Sequence, residues 1–100
     1  MEGLFQMDMG ALWKKSGFGF GVDRFWGEWV WEHITQDIMR SGARIQVDLS
    51  GLPGFTRGFI VSAFCGGVFP VEETLERVTF ISPGKEWRAE DALETLQDCL

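Results

Sequence analysis

Histidine is almost missing from this chain. His33 stands alone among 100 residues, which excludes metal sites built on several imidazoles and any proton relay that needs more than one. Cysteine is nearly as scarce: Cys65 and Cys99 lie in apolar, helical contexts without a paired-cysteine motif. Two thiols are too few for a disulfide framework, so they read as buried thiols, with a single bridge as the alternative. No apolar run approaches the roughly 20 residues that a membrane span requires. The N-terminus, with Glu2 and Asp8, lacks the basic region and long apolar segment of a signal peptide, so a cytoplasmic location without membrane attachment is the expectation. Bases are outnumbered, nine against fifteen acids, for a net charge of −6. From Glu72 onward eight acids face three bases, a balance of −5, whereas residues 1 to 71 carry only −1. Such a surface repels phosphate backbones, which argues against direct contact with nucleic acid.

Catalytic arrangements are missing as well. No serine or cysteine sits in a recognisable nucleophile turn. The acids Glu72, Glu73 and Glu76, and later Glu90, Asp91 and Glu94, fall on what read as solvated helix faces. Paired carboxylates need an apolar pocket to drive their pKa values apart, and a solvated face supplies none. A chain that is not an enzyme and holds no cofactor is therefore expected. No internal repeat or low-complexity tract interrupts it.

What is present reads as one domain spanning residues 1–100, with 45% hydrophobic and 24% charged residues, the balance of a folded protein. Its centre is Arg44-Ile45-Gln46-Val47-Asp48-Leu49, where Ile45, Val47 and Leu49 alternate with polar neighbours as in a half-buried strand. Gly51, Pro53 and Gly54 force a turn, Thr56 can cap a helix, and Phe59 to Cys65 is apolar but for Ser62. Residues Gly3 to Met9 read as a first strand with Phe5, Met7 and Met9 on its apolar side, and Ala11 to Lys15 as either a hairpin extension or a short turn. Asp23 caps a predicted helix that ends at Ser41 before the stop signal Gly42. Its predicted inward stripe is Phe25, Trp26, Trp29, Val30, His33, Ile34 and Ile38. Val71 to Glu76 can form one helical turn, Arg77 to Ser82 a third strand, and Ala89, Ala92, Leu93, Leu96 and Leu100 mark the face of a last helix. This alternation predicts an α/β fold: a mostly parallel sheet of three to four strands, covered by helices on both faces.

Three features carry candidate sites. Gly17, Gly19 and Gly21, interleaved with phenylalanines ahead of a helix, could bring backbone amides toward an anion or nucleotide, although their spacing is not that of the dinucleotide fingerprint. Five tryptophans exceed what a small core absorbs, so Trp13 and Trp31, with Arg57, are candidate partner contacts. Thr56, at a strand-to-helix turn, can cap the helix and is a candidate phosphorylation switch, since a phosphate there would meet the positive helix end.

The segment Val47-Asp48-Leu49-Ser50-Gly51-Leu52, followed by a short turn, Thr56, Gly58-Phe59 and an apolar helix, resembles the STAS domain of anti-sigma-factor antagonists. More closely, the layout is similar to the STAS-like family of bacterial domains, with Ser16-Gly17, Asp48, Gly51, Phe59 and Phe64 at corresponding positions. Phe55 replaces the acid that precedes the phosphorylated serine of the antagonists, and the turn is one residue shorter. The resemblance implies a layered fold, no catalytic chemistry, and recognition of a protein partner such as a histidine-kinase-like ATPase or another regulator. Two further readings stay open: a nucleotide- or anion-sensing domain using the glycine loop, and an acidic phage-type inhibitor of a nucleic-acid-binding protein. A homodimer is also compatible with the pattern.

Overall fold

The computed structural model describes residues 3–18 and 21–100; Gly19 and Phe20 of the glycine loop lie outside the described residues. Strand β1 (Leu4–Asp8) leads directly into helix α1 (Met9–Ser16), because the Asp8 carboxylate accepts the Ala11 amide and caps it. The undecided segment from Ala11 to Lys15 is thus helical. Helix α2 (Arg24–Val30) runs on through a π-helical turn (Trp31–Thr35) into α3 (Gln36–Arg40), with Asp23 accepting from the Phe25 and Trp26 amides at its start. It stops at Gly42, whose φ of 83° is open to a residue without a Cβ. Arg77 closes the same end by donating to the Met39 and Ala43 carbonyls while it pairs with Glu73. Strand β2 (Arg44–Asp48) follows, then α4 (Arg57–Phe64), α5 (Val71–Arg77), β3 (Val78–Ile81) and α6 (Glu86–Gln97).

The three strands form a parallel sheet in the order β1-β2-β3, with Met7 opposite Val47 and Val47 opposite Phe80. The expected parallel α/β architecture is therefore present, but with a difference. Met7, Ile45, Val47, Val78 and Phe80 are buried on one face, whereas Leu4, Gln6, Asp8, Arg44 and Thr79 are exposed on the other and Gln46, Asp48 and Ile81 are only partly covered. Helices cover one face, not two. A sheet that grows in one direction through crossovers of a single hand places every connecting helix on the same side. Polar residues on the open face let a parallel sheet, usually covered twice, stand with one side wet.

Aromatic rings organise the core. Trp13 meets Trp26 edge-on at 5.1 Å, Trp26 stacks on Phe59 at 5.2 Å, and Phe59, Phe64 and Phe80 continue the chain of contacts into the sheet. Such pairs contribute about 0.5–1.5 kcal/mol each beyond the area they bury. Helices α2 and α4 pack closely because Gly27 has no Cβ: one built there would fall on Ser62 Oγ and 2.7 Å from the Phe59 carbonyl. The helix-weakening glycine is used for close approach.

The π turn corrects the predicted stripe. One extra residue per turn moves the inward position from Ile34 to Thr35, so Trp26, Val30, Trp31, Thr35, Ile38 and Met39 face the core. Phe25 and His33, expected inside, are exposed. His33 stacks on Trp29 and its Nδ1–H donates to the Trp29 carbonyl at 2.9 Å; a carbonyl can only accept, which fixes the proton on that nitrogen. In α6 the inward set is Arg88, Ala92, Thr95 and Leu96, which leaves Leu93 outside the core, while Leu100 lies exposed beyond the helix end. Met9 is buried as the first residue of α1, and Phe5, at the edge of the sheet, is exposed. Among the described residues no helix is long and apolar enough to cross a membrane.

Candidate functional site

The carboxyl ends of parallel strands, where helices begin, gather the loops that usually carry the binding residues of open α/β sheets, although a sheet of order β1-β2-β3 has no switch-point crevice there. Here that end is built by the turn from Leu49 to Thr56. Asp48 Oδ1 accepts from the Ser50 amide at 2.9 Å and from Ser50 Oγ at 2.6 Å, which bends the chain out of β2. Gly51 then passes so close to Gly10 that a Cβ on Gly10 would lie 2.6 Å from the Gly51 carbonyl carbon. Only glycine fits at Gly10.

Arg88 holds the turn from below. Its side chain is buried at 7% exposure, and Nη1 donates to the carbonyls of Leu49 (3.2 Å) and Leu52 (2.6 Å) while Nη2 donates to that of Pro53 (3.0 Å). Three carbonyls thus satisfy a guanidinium that has no carboxylate partner among the described ion pairs. The same group lies 5.9 Å from the Phe55 ring and 5.5 Å from the Trp87 ring, within cation–π reach of both. Trp87 is 59% exposed, the most exposed of the large rings among the described residues.

On the other flank, the Thr56 amide donates to the Val22 carbonyl at 3.1 Å, and Thr56 Oγ1 accepts from the Phe59 amide at 3.2 Å, capping α4. This bond brings the end of the glycine loop against the start of α4. Ser62 Oγ, in the second turn of α4, donates to the Arg24 carbonyl at 2.9 Å, and a Cβ on Gly58 would lie 3.4 Å from Arg24 Cβ, so the start of α2 lies along α4. Arg24 covers the ring of Phe25, which is 54% exposed, at 4.8 Å. Arg57, exposed, pairs with Asp98 at the end of α6. The turn before α4 thus carries Phe55, Arg88 and the exposed Trp87, and the capped start of α4 lies beside Arg24 with the exposed Phe25.

The sequence-derived candidates fall unevenly on this frame. Thr56 and Arg57 begin α4, and Gly21 precedes Val22, whose carbonyl accepts from the Thr56 amide. Gly17 ends α1 with φ of 65°, and Gly19 lies outside the described residues. Trp13 is half-buried against Trp26. Trp31, expected to reach a partner, is only 9% exposed: it meets Phe69 edge-on, and its indole fills the space where a Gly66 side chain would be. Sequence reasoning passed over Trp87 and Arg88 and placed Phe25 on the inward stripe. Helical arithmetic from the buried Ala92 and Leu96 could have found two of them, since Arg88 lies four and eight residues before them on the inward stripe and Trp87 falls off it.

No family model, no curated protein and no solved structure matches this chain.

Proposed function

We propose that the chain is a non-catalytic, STAS-like regulatory module that docks another protein through the carboxyl end of its sheet. The observation that carries this reading is the Phe55–Arg88–Trp87 stack: a large ring presented to solvent on a support whose hydrogen bonds fix it in place. Interfaces are anchored by rings of this kind, because a held aromatic enters a partner's pocket at low entropic cost. Phe25 supplies a second anchor, and the exposed Arg24, Thr56 and Arg57 polar contacts. The wet open face of the sheet is less suited to the same task, since its central positions are Gln6, Gln46 and Thr79.

The test uses regulators encoded beside the gene, histidine-kinase-like ATPases among them, mixed with the protein on a sizing column. Co-elution with wild type that is lost with Trp87→Ala, at unchanged melting temperature, is the expected result. Equal co-elution of both proteins, or none with any candidate, counts against the reading. The ligand-sensing alternative draws on the paired starts of α2 and α4 with their arginines, and a nucleotide panel in thermal shift addresses it, since saturation at 100 times Kd raises stability by about 2.7 kcal/mol.

A further inference from the structure

Cys65 ends α4 and Cys99 follows the last turn of α6, 34 positions later, yet their sulfur atoms lie 3.0 Å apart. That is closer than ordinary packing of two sulfurs, and about 1 Å from the 2.05 Å of a disulfide bond. Both residues are half-buried, so a small molecule can reach them while the surrounding helices hold them in register. We propose that Cys65 and Cys99 are a modification site, closing into a reversible intramolecular disulfide when the protein meets a low-molecular-weight disulfide such as oxidised glutathione.

The chemistry proceeds by two exchanges. The thiolate of Cys99 attacks one sulfur of the oxidant, forming a mixed disulfide and releasing one small thiol. Cys65 then loses its proton, attacks Cys99 Sγ and expels the second small thiol. The protein gives up two protons and two electrons, and the oxidant takes up both. Cys65 is the later participant for a physical reason. Burial, the hydrogen bond with Cys99 and repulsion from it together push its thiol up to about 12. Two of these three causes disappear once Cys99 is bound in the mixed disulfide, which frees Cys65 to complete the bond.

Closure joins the end of α4 to the turn that follows α6, whose Asp98 pairs with the exposed Arg57 at the other end of α4. Oxidation therefore fixes the arginine beside Thr56. That last consequence rests on the docking reading, whereas the bond itself does not.

Purified full-length protein is incubated across a series of oxidised-to-reduced glutathione ratios, quenched with acid, and followed by thiol titration and intact mass. The expected result is loss of both thiols together, a mass lower by two hydrogens, and no lasting glutathione adduct. Cys65→Ser should instead stop at the mixed disulfide on Cys99. The oxidised form should melt higher by on the order of 10–20 °C, as closing a loop of this length predicts, and reductant should reverse the rise. Two persisting free thiols, a stable adduct on wild type, or bonds only between molecules would overturn the proposal. So would a lower melting temperature on oxidation, which would mean that the bond forms only by distorting the fold. Loss of partner binding in either state bears on the docking reading and leaves the thiol counts untouched.

Discussion

Replacing Arg88 by methionine keeps much of the apolar stem and removes all three hydrogen bonds to the turn. The Pro53 carbonyl belongs to an exposed residue and can turn to water, and the Leu49 carbonyl keeps the Leu52 amide at 3.3 Å, but the carbonyl of the buried Leu52 loses its donor with nothing to replace it. A buried carbonyl left unpaired costs about 1–3 kcal/mol, and the charged hydrogen bond lost at Leu49 about 1.5–3 kcal/mol more. Against this, a cation held without a carboxylate partner no longer has to be desolvated, which returns part of the loss. A net destabilisation of about 2–4 kcal/mol follows, a large share of the roughly 5–15 kcal/mol that holds a domain together. In urea, with a slope near 1 kcal/mol per molar for a chain of this size, the midpoint should fall by about 2–4 M. Arg88→Lys keeps the charge but offers a compact ammonium in place of the fork, so its midpoint should lie between the two. Because Arg88 also supports Trp87, the red edge of tryptophan emission should shift in Arg88→Met before unfolding begins. A midpoint for Arg88→Met within about 0.5 M of wild type would refute the claim that this side chain holds the turn.

Other perturbations separate structural rings from presented ones. Trp31→Ala should cost about 3–5 kcal/mol in denaturant, while Trp87→Ala should stay within about 0.5 kcal/mol, because only the first opens a cavity. Gly27→Ala gains about 1 kcal/mol in helix propensity but forces its Cβ onto Ser62 and the Phe59 carbonyl, so a net loss is expected; adding Ser62→Ala should recover only part of it, since the carbonyl remains. Stability should also fall in alkali. The Cys65 thiol keeps its proton up to about 12 in the folded protein against 9.0 in the unfolded chain, so the folded state binds more protons above pH 9. Stability is then full below about pH 9 and declines as pH rises toward 12. Cys65→Ser should flatten that decline, which pH-dependent melting measures.

Much of the scaffold was written locally. Ile45, Val47 and Leu49 alternate because one face of β2 is buried, and all three are inside. Asp23 and Thr56 cap helices, and Gly42 stops one, because each of these tasks falls to the residue itself and its nearest neighbours. What stayed hidden depends on distant parts of the chain. The π turn has no short sequence signature, and it alone decides that Trp31 goes in and His33 stays out. Arg88 occupies a core position, where a charged residue is rarely expected, because carbonyls 35 to 39 positions earlier satisfy it. The single-sided cover follows from strand order, which no residue encodes. At the site, Thr56 and Arg57 could be read in advance, whereas the rings beside them could not: Phe25 sat on the predicted inward stripe, and Trp87 precedes the apolar face of its helix.

The open side of the sheet has a practical consequence. Gln6, Gln46 and Thr79 stand in register across the three strands, forming a row about 10 Å long at strand spacings near 4.8 Å. Because their neighbours along each strand supply the hydrophobic layer, this row can be rewritten without repacking the interior. It is a ready platform for engineering, where new side chains can be mounted at fixed intervals on a scaffold that need not adjust to receive them.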